Sequence, residues 1–223
     1  MPVLFADLAQ TCAPMVAAKT LAGVVSLESR FDPLAIRINS GPPSSKQPST
    51  KAEAIEVATS LAAERQDIQL GLGGIGMEEL RKLKLSISDA FDPCLNLRAT
   101  ATLLDGYYRL AVNAGADPKR AGQVMLQSWY GRGDPTVGEM VKYDGQVSQE
   151  ARRLSGSLAT LEIGDGGQGR GDSGPAAVEV ANEQQTQDPP ANQAASAPSW
   201  DVFNTRRRSS VLVFQNSQME QSE

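Results

Sequence analysis

The chain contains no histidine among its 223 residues. This absence excludes a Ser–His–Asp triad and most zinc sites, which use imidazole ligands. Only two cysteines, Cys12 and Cys94, are present, and two thiols without a histidine make a poor metal site. The thiols are either buried and free or, in an oxidising compartment, joined in one disulfide. We therefore expect neither a metal nor a cofactor.

Long apolar runs and a basic surface are also missing. No stretch approaches the roughly 20 apolar residues that cross a bilayer, so no transmembrane segment is predicted. The apolar start, residues 1–8, is too short for a signal-peptide core, so no leader is visible. Residues 1–154 hold 17 Lys/Arg and 17 Asp/Glu, which leaves no electrostatic footprint for nucleic acid.

The composition changes after residue 154. Residues 155–223 hold 4 Lys/Arg and 9 Asp/Glu and therefore account for the net charge of -5. Glycine dominates residues 164–171, and Gln, Asn, Pro, Ala and Ser dominate residues 183–199. Such composition cannot bury enough apolar surface to offset the entropy of ordering, so we interpret the tail as disordered. Two apolar islands, 200–203 and 211–214, are either incidental or a docking peptide for a partner.

Residues 1–154 are predicted to form a mostly helical domain. Aspartate suits a helix N-cap and proline the first helical position, so Asp-Pro pairs mark helix starts. A capping box at Thr50 and Glu53 marks one more helix start. Pro14 and Pro33 are taken as the bounds of the first helix. The predicted helices are a first helix between Pro14 and Pro33, a helix from Thr50, and helices over 93–114, 118–130 and 135–154. No alternating run suits a substantial sheet, and 70–76 is expected to hold a short hairpin or an extended turn.

Glu28 is the first candidate for chemistry. The apolar stripe of the first helix runs through Leu21, Val24 and Val25, and Glu28 follows at helical spacing on the same face. A carboxyl group on an apolar face is costly to ionise, which suits a general acid near neutral pH. The alternative is that the helix ends here and Glu28 turns to solvent.

Two further elements contain residue types that suit a sugar ligand. The glycine-rich segment 69–76 lets backbone approach a ligand closely, although it lacks the lysine of a phosphate loop. The segment 129–134 places Trp129 and Tyr130 before glycines, where a ring can stack on a sugar face. The alternatives are a flexible turn and a helix cap whose aromatic rings lie in the core.

Taken in order, these elements resemble the lysozyme-like lytic transglycosylases, and most closely the specialised transglycosylase of VirB-type IV secretion systems. The resemblance spans roughly residues 8–154. The matching blocks are Cys12-Ala13-Pro14, Thr20-Leu21-Ala22, residues 25–36 around Glu28-Ser29 with Asn39 and Gly41, Leu70-Gly71-Leu72-Gly73-Gly74-Ile75, Leu85-Ser86, residues 91–97, and Tyr130-Gly131-Arg132-Gly133-Asp134 with Tyr143 and Val147.

The resemblance implies an α+β lysozyme-like fold and a periplasmic enzyme that cleaves the glycan strands of peptidoglycan. Glu28 would be the catalytic acid and base, Cys12 and Cys94 would be bridged, and Ser29 and Tyr130 would support the acid and line the groove. The implied partners are glycan strands and components of a type IV secretion system. The full set of predicted substrate-binding residues is Ser29, Asn39, Gly71, Leu72, Gly73, Ile75, Tyr130 and Tyr143.

Three positions depart from the family pattern. Gly74 stands where the family has glutamine, Gly76 where it has asparagine or methionine, and Gly131 where it has asparagine. Each departure removes a side chain expected to touch sugar or to brace the loop, at about 0.5–1.5 kcal/mol per lost hydrogen bond. A degenerate, non-catalytic member of the family is therefore the second hypothesis. A hydrolytic lysozyme is the third.

Overall fold

The computed structural model describes residues 3–39 and 47–163. The tail was predicted to be disordered from residue 155, but residues 155–163 are ordered: Glu162–Ile163 forms a short strand and Ile163 is buried, so the predicted boundary is wrong. The two apolar islands of the tail lie outside the described residues. Within the described ranges the helices are α1 (Phe5–Cys12), α2 (Ala18–Glu28), α3 (Lys51–Ala63), α4 (Met77–Lys82), α5 (Ile87–Ala90), α6 (Pro93–Asn113), α7 (Pro118–Tyr130), α8 (Pro135–Met140) and α9 (Tyr143–Leu154). The mostly helical fold predicted from the sequence is confirmed.

Local cap chemistry explains where three of these helices begin. The carboxylate of Asp92 accepts the N–H of Leu95 at 2.8 Å, at the start of α6. Asp117 and Asp134 cap α7 and α8 in the same way, each followed by proline. The Asp-Pro pairs therefore set these helix starts at the predicted residues.

Other helix bounds differ from the prediction. The first predicted helix begins at Ala18, and Pro14 lies in a turn after α1, a helix that the sequence pattern did not indicate. The helix predicted over 135–154 is two helices, because the chain turns at Lys142, whose φ is 54°. The short helices α4 and α5 were not predicted either.

Five short strands make two small sheets in the described ranges. The strands are β1 (Val3–Leu4), β2 (Ile36–Ile38), β3 (Ile68–Leu70), β4 (Ile75–Gly76) and β5 (Glu162–Ile163). β1 pairs with β5, and β2, β3 and β4 form an antiparallel sheet in that order. The β3–β4 pair is the short hairpin expected in the glycine-rich segment, and β2 extends it to three strands.

The three-stranded sheet has one apolar and one polar face. Cross-strand pairing aligns Arg37 with Gln69 and Gln69 with Gly76 in one row. The neighbouring rows, such as Ile36 opposite Leu70, are buried, because side chains alternate between the two faces of a strand. The row of Arg37, Gln69 and Gly76 is therefore directed away from the core.

The buried apolar residues form two clusters. The helical cluster gathers α1, α2, α6, α7 and α9 around residues such as Leu21 and Leu104. The sheet cluster gathers the three-stranded sheet, α3, α4 and α5 around Ile68 and Leu80. Trp129 packs against both clusters.

A disulfide joins Cys12 at the end of α1 to Cys94 at the start of α6. Its Cα–Cα distance is 5.3 Å, and the two cysteines are 82 residues apart in sequence. A cross-link that closes so long a loop restricts the unfolded chain strongly. It fastens α1, which packs beside α2, to the helix that supports the glycine hairpin.

Candidate functional site

A cleft of about 610 Å³ opens on the polar face of the three-stranded sheet. Arg37, Gln69 and Gly76 form its floor on the sheet side. The residues around it come from α2, β2, the hairpin, α4, α6 and α7. They are Glu28, Arg37, Ile38, Asn39, Asp67, Gln69, Gly74, Gly76, Glu79, Tyr107, Trp129, Tyr130 and Arg132.

Glu28, the last residue of α2, is held at both carboxylate oxygens. The hydroxyl of Tyr143 donates to Oε1 at 2.6 Å, and the guanidinium of Arg37 forms an ion pair with Oε2. The side chain of Glu28 is only 4% exposed, whereas that of Arg37 is 43% exposed. The helix does end at Glu28, but its carboxylate is directed into the cleft rather than to solvent.

Tyr143 is the first residue of α9 and is buried, at 3% exposure. Burial, followed by the negative charge of Glu28 and the hydrogen bond to it, raises the pKa of Tyr143 well above its ordinary value. Its ring lies 5.1 Å from that of Tyr130, centroid to centroid. Tyr143 thus connects the acid to the aromatic residue at the edge of the cleft.

Asn96 fixes the glycine hairpin against α6. Its side-chain carbonyl accepts the N–H of Gly73 at 2.8 Å, and its amide donates to the carbonyls of Leu70 and Ala90. A side chain on Gly71 or Gly73 would overlap with α6 or with the turn before it. These two glycines therefore serve close packing of the hairpin onto α6.

The next two glycines border the cleft and lie against carboxylates. Gly74 has a φ of +67°, and a Cβ there would come 3.0 Å from Oε2 of Glu28. A Cβ on Gly76 would come 2.5 Å from Oε2 of Glu79. The hairpin can approach both carboxylates because neither position carries a side chain.

The turn after α7 completes the far side of the cleft. Tyr130 is 42% exposed there. A Cβ on Gly131 would overlap with the carbonyl oxygen of Asp134, so this tight turn requires glycine. Arg132 is then directed across the cleft, where its guanidinium donates to Asp67 at 2.8 Å.

With this geometry in view, the chain can be compared with known proteins. It is 40% identical over 110 residues to the type IV secretion system protein virB1 of Brucella suis biovar 1. The aligned segment covers 49% of this chain and 46% of that protein. It is also 34% identical over 151 residues to protein virB1 of Agrobacterium fabrum. That aligned segment covers 67% of this chain and 60% of the relative. The chain is VirB1-like. The resemblance to a component of VirB-type IV secretion systems that the motifs indicated is thereby confirmed.

The extent of the similarity is partial. The VirB1-like chain spans about half the length of the Brucella protein and about three fifths of the Agrobacterium fabrum protein. No protein-family model matches it, and no solved structure gave a significant match.

No helix within residues 3–39 and 47–163 is both long and apolar enough to span a membrane. The same residues contain no group of three or more His, Cys, Asp or Glu side chains placed to hold a metal ion.

The structure brings only part of the predicted site together. Tyr130 and Asn39 line the cleft with Glu28, and Tyr143 reaches it through its hydroxyl. Ser29 is buried, and its hydroxyl donates to the carbonyl of Val25 in its own helix. Ser29 therefore does not line the cleft.

Four residues of the glycine segment are also placed away from the cleft. Leu72 and Ile75 are fully buried side chains of the helical and the sheet cluster, respectively. Gly71 and Gly73 face Asn96 and Thr100 of α6. Of this segment, Gly74 and Gly76 border the cleft, so the segment can contact a ligand there only through main-chain atoms.

Several cleft residues were not predicted from the sequence. Arg37 and Gln69 occupy the middle positions of the strands Ile36–Ile38 and Ile68–Leu70, where a polar residue alternates with apolar ones. That alternation would have placed both on one face of a sheet. No comparable sequence pattern indicated that the remaining residues line the cleft. These are Asp67, Glu79, Tyr107 and Arg132.

Proposed function

We propose that the chain is a peptidoglycan lytic transglycosylase that opens the cell wall locally for a type IV secretion or conjugation system. It acts in the periplasm on the β-1,4 bond between N-acetylmuramic acid and N-acetylglucosamine. The observation that carries the proposal is Glu28, a carboxylate with a 4% exposed side chain at the wall of a cleft with Trp129 and Tyr130. The similarity to VirB1 proteins supports the secretion context.

Glu28 acts first as the acid. It donates a proton to the oxygen of the scissile glycosidic bond, and the substrate's own acetamido group stabilises the oxocarbenium-like centre. Glu28 then takes the proton of the sugar's 6-hydroxyl as that oxygen closes a 1,6-anhydro ring. One carboxylate therefore serves both steps and no water is consumed, unlike in glycosidases that use two carboxylates.

The partners of Glu28 have separate tasks in this mechanism. Tyr143 keeps Oε1 in place, because it is buried and cannot turn away. Since the second oxygen is occupied by Arg37, that oxygen can present a proton to the substrate only after Arg37 moves aside. Arg37 is the mobile partner because it is much more exposed than Tyr143. Its return stabilises the carboxylate formed by proton donation.

Residues predicted as ligands but placed away from the cleft are assigned structural roles. Leu72 and Ile75 anchor the hairpin in the two hydrophobic clusters. Gly71 and Gly73 allow it to lie on α6. Asn39 and Tyr130 remain the proposed contacts to sugar.

The test is digestion of purified peptidoglycan with the full-length chain, followed by mass spectrometry for 1,6-anhydromuropeptides. The anhydro products should accumulate, and Glu28→Gln should lower their rate by about 10²–10⁴-fold, the usual contribution of acid–base catalysis. Glu139→Gln, an exposed carboxylate on α8, is the matched control and should leave the rate unchanged.

A second candidate function is a non-catalytic glycan-binding or assembly factor. It is favoured by the ion pair that occupies Glu28 and by the absence of side chains at Gly74 and Gly76. Well-folded protein that binds peptidoglycan but yields no anhydro product would establish this alternative. Products with ordinary reducing ends would instead indicate a hydrolytic lysozyme.

A further inference from the structure

Glu79 is a buried carboxylate without a partner for one of its oxygens. The residue is 7% exposed, and its Oε2 has no hydrogen-bond partner among the described residues. It also lines the cleft that contains Glu28. A buried charged or polar group is costly to leave unpaired, so an orphaned oxygen in a cleft suggests a ligand.

The other carboxylates around the cleft already have cationic partners. Glu28 pairs with Arg37, and Asp67 pairs with Arg132. Glu78, next to Glu79 in α4, pairs with Lys82 on the solvent side. Among the cleft carboxylates of the described residues, Glu79 forms no such ion pair, and its Oε2 is buried without a hydrogen-bond partner.

The position of Glu79 places its oxygen over the floor of the cleft. Oε2 lies 2.5 Å from the point that a Cβ on Gly76 would occupy, and Cζ of Arg132 lies 3.9 Å from the same point. The carboxylate of Glu79 thus fills the space that a side chain at position 76 would take. Gly74, which lies against Glu28, is two residues away in the sequence.

Tyr107 is a second cleft residue, and it lies close enough to Glu79 to be influenced by its charge. It lines the same cleft, and burial followed by the charge of Glu79 raises its pKa. Its ring presents a flat apolar surface beside a carboxylate, a combination that suits a sugar, which has an apolar face and donor groups at its edge.

We propose that Glu79 is a second ligand-binding carboxylate of the cleft, which accepts a hydrogen bond from an N–H or O–H donor of the sugar chain. This inference rests on the proposed glycan substrate and adds a binding residue to it. Three donors are chemically suited: the N–H of an acetamido group, the ammonium of a de-N-acetylated sugar, and a hydroxyl.

A purely structural role for Glu79 makes a different prediction. Glu79 is the third residue of α4, the position from which a carboxylate can cap a helix start. A capping role would affect the stability of the fold and not the affinity for sugars. The experiment must therefore measure binding and stability on the same proteins.

The test compares Glu79→Gln with Glu78→Gln, its exposed neighbour, both made in full-length Glu28→Gln protein so that no bond is cleaved. Isothermal titration calorimetry measures binding of the N-acetylglucosamine tetramer and of its de-N-acetylated counterpart, and urea denaturation measures the stability of the same proteins. A loss of stability without a loss of affinity in Glu79→Gln would indicate a capping role and overturn the inference. Because hydrogen bonds to charged groups are worth more than neutral ones, Glu79→Gln should raise Kd by about tenfold or more, whereas Glu78→Gln should not change it.

The pattern across the two probes identifies the donor. A loss confined to the acetylated tetramer indicates the acetamido N–H, a larger loss on the de-N-acetylated tetramer indicates the ammonium, and equal losses indicate a hydroxyl. Unchanged affinity for both probes in Glu79→Gln overturns the inference, as does a parent protein that binds neither. The anhydro-product assay decides the proposed function separately, since it uses the wild-type chain.

Discussion

The two sides of the cleft hold their carboxylates in different ways. On the helical side, both oxygens of Glu28 are occupied, one by a buried tyrosine and the other by Arg37. On the hairpin side, Glu79 lies over Gly76 with its Oε2 unpartnered. Glu28 is thus oriented by neighbours at both oxygens, whereas Oε2 of Glu79 has no hydrogen-bond partner among the described residues.

The support behind the two carboxylates differs as well. Glu28 depends on packing between two helices, since α2 lies so close to α9 that a Cβ on Gly23 would meet Val147. The hairpin instead depends on hydrogen bonds from Asn96 to its main chain. The proposed catalytic residue and the proposed binding residue can therefore be disturbed separately, by mutations at different positions.

The largest effect on the hairpin side is expected from Asn96→Ala. The substitution removes three buried hydrogen bonds, which join the side chain to the N–H of Gly73 and to the carbonyls of Leu70 and Ala90. We expect a loss of about 3 kcal/mol in the free energy of unfolding. Urea denaturation measures it. The control is Asn113→Ala, at the exposed end of the same helix. Equal stability of the two variants would contradict the assigned role of Asn96.

Much of the helical framework could be predicted because its signals are local. Asp92, Asp117 and Asp134 cap the helix that follows within three residues, so adjacent sequence sets the start. The break at Lys142 gave no such signal, since neither it nor its immediate neighbours are helix breakers, although its φ is positive. Short helices such as α4 offer too few turns for a periodic pattern.

The site was predictable only in part for a related reason. Glu28 was found from its position on an apolar helix face and from the motif around it. Its partner Tyr143 lies 115 residues away in sequence, and the meeting of the two depends on the packing of α2 on α9. The contact between Glu79 and Gly76 is local by comparison, because the two are the third residue and the N-cap of α4, but their place at the cleft depends on how the hairpin packs.

A smaller effect is expected at Gly131, on the side of the cleft formed by the α7–α8 turn. A methyl group there overlaps with the main-chain carbonyl of Asp134, so Gly131→Ala should lower the free energy of unfolding by about 1–3 kcal/mol. Gly122→Ala in α7, the helix before this turn, is the matched control, because no atom lies within 4 Å of the added Cβ. That control should be stabilised by about 0.5–1 kcal/mol. A destabilised control, or a stable Gly131→Ala protein, would show that the turn is not as tight as described.

The smallest effect is a pH dependence on the helical side, at Tyr143. Its raised pKa means that the folded protein retains the phenol proton where the unfolded chain loses it, near the ordinary value of 10.0. The contribution of Tyr143 to stability is therefore complete below about pH 10 and declines as pH rises further, by up to about 1.4 kcal/mol per pH unit.

Denaturant unfolding of wild-type and Tyr143→Phe protein measures this contribution at pH 8, 9, 10 and 11. The difference in unfolding free energy should be constant up to pH 9 and then shift against the wild type, since phenylalanine has no proton to lose. Tyr108→Phe, a half-buried tyrosine outside the cleft, corrects for general effects of alkaline pH. A difference that stays constant to pH 11 would mean that the phenol ionises alike in both states. The buried hydrogen bond to Glu28 would then not form in solution as it does in the structure.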